Sequence, residues 1–174
     1  HLGSSDADTV AYGKHEYGAT AEDLRKFTAG ETGSRGSKMA NEDALYRGKV
    51  FEAPNVYMTL RYLSKLTEVP GVKDQYITMQ GEVINELKSQ MVGNGELMRN
   101  YISQVQHQLV CSGGDFALVS VLSKNGQLTV YPIERDNEWI ADYLKEVAEY
   151  WRRVEENDPY PEPIDNDYVA DFTG

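Results

Sequence analysis

The chain has 174 residues, of which 40% are apolar and 10% aromatic, which favours one globular domain over a disordered chain. No apolar run approaches the roughly 20 residues of a membrane helix, and no basic-then-apolar signal pattern opens the chain, so we expect a cytoplasmic protein. Cys111 is the only cysteine. A disulfide framework and a cysteine-rich zinc site are therefore excluded, and we expect a buried thiol.

The formal net charge of −11 argues at first against binding to DNA, whose phosphates favour basic surfaces. The charge is uneven, because residues 155–174 hold seven acidic residues and no Lys or Arg. We therefore predict one domain over residues 1–155 and an acidic tail over residues 156–174. The body carries far less negative charge than the whole chain, and DNA can bind there through a local basic channel.

Capping patterns predict the first helices. Ser5–Asp8 has the spacing of a capping box and predicts a short helix toward Ala11. Thr20–Asp23 has the same spacing and predicts a second helix that stops at Gly30. Asn41 is placed to cap a long helix.

The Gly/Ser-rich stretch 30–38 predicts a mobile loop, and it lacks the Gly-Lys-Ser/Thr of a Walker loop. Arg35 in this loop is either a DNA contact or simply exposed to solvent. The long helix after it runs to about Lys65, with Pro54 inside it, and carries Arg47 and Glu52.

Two short runs follow along the chain: Asp74 begins the first, and Glu86-Leu87-Lys88 ends the second. Gln80-Gly81 lies between them and predicts a hairpin turn. Alternation along a strand puts Glu86 and Lys88 on one face. Mg²⁺ is usually held by one or two carboxylates, and a nearby ammonium can orient water or offset charge in phosphodiester cleavage. Taken alone, the pattern is also typical of a solvated strand edge.

Regular elements fill the rest of the body. A helix is predicted from about Glu96 to Val110, with an apolar stripe at every fourth position: Leu97, Tyr101, Val105 and Leu109. Gln104 and Gln108 flank this stripe, at the half-polar boundary where an active-site glutamine would lie. A buried strand over Phe116–Leu122, an Asn-Gly turn and a strand over Leu128–Ile133 follow, and Asp136 is placed to cap the last helix. His107 has no partner at metal-ligand spacing, so we expect it at the surface or supporting the site from outside.

In order and spacing these blocks resemble the phage lambda exonuclease family, viral recombination nucleases of the PD-(D/E)xK superfamily. The blocks run from Leu2-Gly-Ser-Ser-Asp-Ala7 through the Glu-Leu-Lys tripeptide to Tyr131-Pro-Ile-Glu-Arg-Asp136. The resemblance implies an α/β fold in which helices flank a central mixed β-sheet. It also implies a Mg²⁺-dependent 5′→3′ DNA exonuclease, for which Mn²⁺ substitutes.

Roles are implied by the same resemblance, residue by residue. The metal ligands are Asp74, Glu86, the Leu87 backbone carbonyl and Glu52, and the catalytic groups are Lys88, Glu86, Asp74 and Gln104. The substrate contacts that the resemblance implies are Ser5, at the 5′-phosphate, and Tyr101, which belongs to the same helix motif as Gln104. Independently of the resemblance, the basic residues Arg35 in the loop and Arg47 on the long helix are candidate DNA contacts. The chain departs from the family at Val72-Lys73-Asp74-Gln75, where a Ser-Pro-Asp-Gly-like sequence is usual.

The partners implied are double-stranded DNA, two further copies of the chain in a ring-shaped trimer, and a single-strand annealing protein. Two other readings remain open. A related endonuclease would share the metal site and differ in the DNA channel. A catalytically inactive acidic protein on a nuclease fold would bind or inhibit a partner instead.

Overall fold

The structure of the protein, a computed structural model, describes residues 2–14, 18–34, 42–66, 84–90, 97–123 and 125–161. Its elements in these ranges, in chain order, are a 3-10 turn over Ser4–Asp6, α1 Ala7–Tyr12, α2 Ala21–Thr28, α3 Glu42–Leu66, β1 Ile84–Gln90, α4 Arg99–Ser112, β2 Phe116–Ser123, β3 Leu128–Glu134 and α5 Asn137–Glu156. None of the helices described combines the length and apolar character needed to cross a bilayer.

The first helix is capped earlier than predicted. The Gly3 backbone N–H donates to the Asp6 carboxylate at 2.9 Å, so the Ser5–Asp8 capping box is wrong in register. The physical reason is that Asp8 is buried and accepts hydrogen bonds from α4 instead. The second box is confirmed, since Thr20 and Asp23 exchange backbone-to-side-chain hydrogen bonds of 3.0 and 3.1 Å.

The long helix α3 is confirmed, with Pro54 inside it. Asn55 and Thr59, one turn apart, are buried on one side of this helix. The Asn55 Nδ2 donates to the Lys88 carbonyl at 3.1 Å and to the Ser120 carbonyl at 3.0 Å. The buried Asn55 amide therefore joins α3 to both β1 and β2 through hydrogen bonds.

The described strands form a mixed sheet in the order β1-β2-β3. β1 runs parallel to β2, with Glu86 opposite Val119, and β2 runs antiparallel to β3, with Val119 opposite Tyr131. The second hairpin is thus confirmed. Gly126 in its turn has φ of +77°, which glycine adopts without strain. Of the predicted first hairpin, the strand that carries Glu86 is β1, whereas the strand that Asp74 begins and the Gln80-Gly81 turn lie outside the described residues.

Two apolar clusters hold the layers together. In the first, the predicted α4 stripe packs on the sheet: Tyr101, Val105, Leu109, Ala117, Val119 and Val121 are buried together. In the second, α1 and α2 pack on α5 through Ala7, Val10, Leu24, Tyr143 and Tyr150. Each fully buried large side chain stabilises the fold by about 1.5–3 kcal/mol relative to exposure.

Cys111 is exposed in the last turn of α4, so the prediction of a buried thiol is wrong. It lies two residues beyond the buried Leu109, and two residues along a helix turn the side chain roughly to the opposite face.

The last helix begins as predicted, because the Asp136 side chain accepts from the Trp139 N–H at 2.9 Å. After α5 the chain packs back on the body. Asn157 accepts a hydrogen bond of 3.0 Å from Arg25, and the Tyr160 N–H donates to Glu22 at 2.9 Å. The first residues of the acidic tail are therefore held by side chains of α2.

Candidate functional site

The centre of the site is a pair of side chains on β1. Glu86 and Lys88 alternate along the strand and point to the same side, with the Lys88 Nζ 2.9 Å from Glu86 Oε1. Their side chains are 20% and 19% exposed. Leu87 lies between them, in register with Ser120 of β2. A carboxylate and an ammonium thus meet where solvent still reaches them.

Helix α4 contributes an amide that contacts both charges. The Gln104 Nε2 donates to Glu86 Oε1 at 2.8 Å, and its Oε1 accepts from Lys88 Nζ at 2.6 Å. Tyr101, one turn earlier, is buried, and its ring centroid lies 5.0 Å from Lys88 Nζ, within the range of a cation–π contact. The structure brings together four of the predicted site residues: Glu86, Lys88, Tyr101 and Gln104.

A second glutamine of α4 holds the other carboxylate oxygen. The Gln108 Nε2 donates to Glu86 Oε2 at 2.7 Å. Within the part of the chain that the structure describes, its Oε1 is buried and has no hydrogen-bond partner. The sequence placed Gln108 beside Gln104 on the half-polar edge of the α4 stripe, at i+4 spacing, but gave it no role of its own.

Asn55 supports the site from the α3 side, because its hydrogen bond to the Lys88 carbonyl fixes the backbone that carries the Lys88 side chain. Glu52 lies one turn before Asn55 on α3 and is exposed. No sequence signal pointed to Asn55, since its two partners are 33 and 65 residues away along the chain.

The remaining predicted residues divide into two groups. Ser5 is exposed in the N-terminal turn, and its neighbour Ser4 has its hydroxyl 3.5 Å from Gln104 Nε2. Asp74 and Arg35 lie outside the described residues, as does the side chain of Arg47.

A buried carboxylate keeps the N-terminal turn beside α4. Arg99 donates two hydrogen bonds of 2.9 Å to the two oxygens of Asp8, and Ser103 donates a third of 3.0 Å. The Arg99 guanidinium also stacks 4.2 Å from the Tyr12 ring centroid. These contacts join α1 to α4 and hold Ser4 close to Gln104.

His107 of α4 contacts the last helix, α5. Its Nδ1 lies 2.8 Å from the Tyr143 hydroxyl, with the two rings edge to face, so it packs between α4 and α5. Burial lowers the pKa of His107 below its usual 6.5, against a smaller opposing effect of Asp6, and burial also raises the pKa of Tyr143. His107 is therefore a half-buried residue that contributes to packing between α4 and α5, and its expected supporting role stays a prediction.

The donor set at Glu86 suits a hard cation in type. A carboxylate and an amide oxygen without a partner are the oxygen ligands that Mg²⁺ and Ca²⁺ take. Among the residues described, no group of three or more His, Cys, Asp and Glu side chains is placed to hold a metal ion. The second predicted carboxylate, Asp74, lies outside these ranges.

Comparison with known proteins gives the fold. No family model and no curated protein match the chain. A crystal structure of an alkaline exonuclease from Laribacter hongkongensis matches with a TM-score of 0.59 at 16% identity, over 90% of this chain and 88% of that one. The structure of that exonuclease in complex with dAMP matches over the same shares, with a TM-score of 0.53 at 17% identity. This protein is therefore similar in fold to an alkaline exonuclease over nearly its whole length.

Proposed function

We propose that this protein is a Mg²⁺-dependent nuclease that hydrolyses phosphodiester bonds of duplex DNA. The observation that carries the proposal is the contact of Glu86, Lys88 and Gln104 at one point of the sheet, in a fold similar to that of an alkaline exonuclease. In this proposal the fold is a PD-(D/E)xK core, with β1 as the strand that carries the Glu-x-Lys.

Glu86 would hold the metal together with Asp74, the Leu87 backbone carbonyl and the exposed Glu52. When bound, Mg²⁺, or Mn²⁺ in its place, would act as a Lewis acid on the scissile phosphate. The fit rests on the type of donors around Glu86 and on the partnerless oxygen of Gln108.

The chain's own side chains would do the rest. Lys88 is placed to orient the attacking water or to offset the charge that develops on the phosphate oxygens. Gln104 contacts the lysine and the carboxylate, so it would keep the ammonium aimed at the reacting group. Tyr101 lies against Lys88 and limits the directions that its ammonium can take.

We further propose that cleavage is exonucleolytic in the 5′→3′ direction. It would leave a 3′ single strand for phage-type recombination. Ser5, Tyr101, Arg35 and Arg47 would contact the DNA, and Ser4 joins them because its hydroxyl is the one near Gln104. A trimeric ring around the duplex and an annealing protein as partner complete it. Light scattering should then show a species of about three copies; a processive monomer would contradict the ring.

The test is to incubate linear and closed circular duplex DNA with Mg²⁺, with Ca²⁺ and with EDTA. The control protein is Lys88→Ala. Loss of linear DNA alone, only with active metal and only for the wild type, supports the exonuclease. Cutting of circles would support a related endonuclease, and binding of DNA or protein without cutting would support the inactive binding protein.

A further inference from the structure

We propose that Gln108 is a positioning residue for Glu86, which holds the carboxylate in the orientation that binds the cation. The inference rests on the proposed function. It adds a residue that neither the sequence motifs nor the resemblance assigns to the site.

The geometry is a carboxylate held by two amides. Gln104 and Gln108 are one turn apart on α4, so their side chains lie on one face of the helix. Their Nε2 atoms reach different oxygens of Glu86, Oε1 at 2.8 Å and Oε2 at 2.7 Å. Two donors on two oxygens fix the plane of the carboxylate, whereas one donor would leave it free to rotate.

The two amides differ in what their oxygens contact. The Gln104 Oε1 accepts from Lys88, so both ends of that amide are used. The Gln108 Oε1 is buried and, among the described residues, has no hydrogen-bond partner. A buried amide oxygen without a partner costs free energy, so the bond from the Gln108 Nε2 to Glu86 is kept at a cost in stability.

Neutral donors suit this task. Lys88 is the one cation bound to Glu86 in the described part of the site, and the two amides contribute no net charge. The two amides therefore fix the geometry of Glu86 without adding further positive charge, which would weaken the attraction of its carboxylate for a divalent ion. Supporting residues of this kind typically change metal affinity or activity by about 10- to 100-fold when they are mutated.

The test measures metal binding in the absence of DNA. Mn²⁺ and Ca²⁺ are titrated calorimetrically into wild type, Gln108→Met and Gln106→Met, and the melting temperature of each is recorded in EDTA and in saturating metal. Gln106 is the matched control: it lies on the same helix but donates to the Glu134 carbonyl and accepts from the Asp136 N–H. We expect Gln108→Met to weaken metal binding about 10- to 100-fold. Gln106→Met should lower the melting temperature and leave the affinity unchanged.

Gln108→Glu keeps the inference testable if the methionine variant folds poorly. A second carboxylate beside Glu86 should lower the melting temperature in EDTA, and Mn²⁺ should restore it by a larger shift than in the wild type. Metal affinity as tight in Gln108→Met as in the wild type would overturn the role of Gln108 and leave the proposed function standing. A wild type that binds neither metal would overturn both.

Discussion

Two buried polar networks in this protein differ in whether they are complete. On the helical side, Arg25 is 1% exposed and its guanidinium is bound by Glu22, Glu31 and Asn157. Opposite charges surround it, and the carboxylate of Glu22 keeps the pKa of Arg25 raised. On the strand side, Glu86 is bound by Lys88 and two neutral amides, and solvent still reaches it.

The difference indicates what each network does. A closed network with matched charges stabilises one arrangement of α2 and α5 and leaves nothing to bind a ligand. The network at Glu86 keeps a partnerless amide oxygen and a solvent-accessible carboxylate, which is costly unless another group completes it. What distinguishes Glu86 from Arg25 is therefore the combination of a solvent-accessible charge and an incomplete set of partners around it.

The largest effect should come from breaking the closed network. Arg25→Ala leaves Glu31 without the Arg25 cation and Glu22 with only the exposed Lys26 at 3.8 Å, and it should lower the free energy of unfolding by about 3 kcal/mol. Denaturant melts would measure it. DNA cleavage per folded molecule should not change.

The control for that change is Arg152→Ala. Arg152 binds Glu149, Glu156 and Asp158, but its side chain is 39% exposed, so the loss of stability should be much smaller than for Arg25→Ala. Equal destabilisation by the two variants would contradict the distinction between a buried and a solvated network.

Removing charges from the open network should act on cleavage. Lys88→Ala should reduce the cleavage rate by about 100-fold or more, equivalent to roughly 2.7 kcal/mol of transition-state stabilisation, with little change in melting temperature. Glu86→Ala and Asp74→Ala should act in the same direction, and Glu52→Ala more mildly. Single-turnover rates at saturating Mg²⁺ are the measurement, and full activity in Lys88→Ala would reject the site.

A change at Asn55 should affect both stability and cleavage, because Asn55 is buried like Arg25 and its side chain binds the backbone carbonyl of Lys88. Asn55→Ala removes two hydrogen bonds to strand carbonyls and should cost about 1–3 kcal/mol of stability. It should also slow cleavage. Thr59→Val removes only the 3.2 Å hydroxyl contact that orients the Asn55 amide, and it should reproduce both effects at smaller size.

How much of the structure could be predicted from the sequence depends on how far apart along the chain the contacting residues lie. The strand pattern of Glu86 and Lys88 and the stripe of α4 are local periodicities, so both could be derived from the sequence. The contacts of Asp8 could not be derived in this way, because its partner Arg99 is 91 residues away along the chain. This contact, and not the local capping pattern, decides where the Asp8 side chain lies. Asn55 was missed for the same reason.

The pH dependence of stability tests His107, the packing histidine on the helix that carries Gln104. Burial lowers its pKa below 6.5, so the unfolded chain takes up this proton at a higher pH than the folded one. Its contribution is full above pH 6.5 and is lost as the pH falls through 6.5 toward the folded pKa. His107→Gln should flatten this slope, which cannot exceed about 1.4 kcal/mol per pH unit for one proton. Urea melts between pH 5 and 8 would measure it; an unchanged slope would assign it to other groups.

The smallest effect should come from removing the acidic tail. The residue at which the chain is ended decides whether only charge is removed or packed contacts as well. Ending the chain after Asn157 would also remove Asp158 and Tyr160, which contact Arg152 and Glu22. Ending it after Pro161 keeps these contacts and removes four acidic residues. Nonspecific DNA affinity should then rise at low salt and return to the wild-type value at high salt, because repulsion of a polyanion acts over about 8–10 Å at ordinary ionic strength.

Melting temperature and oligomer mass separate this electrostatic role from a structural one. Both should stay unchanged in the chain that ends after Pro161, since the packed contacts of Tyr160 remain. If Ile164, Tyr168 and Phe172 instead anchor the tail on its own or a neighbouring subunit, DNA affinity will stay the same while the oligomer or the melting temperature is lost. That result would make the tail a part of the assembly, and its charge would then have no role in regulating access of DNA to Glu86 and Lys88.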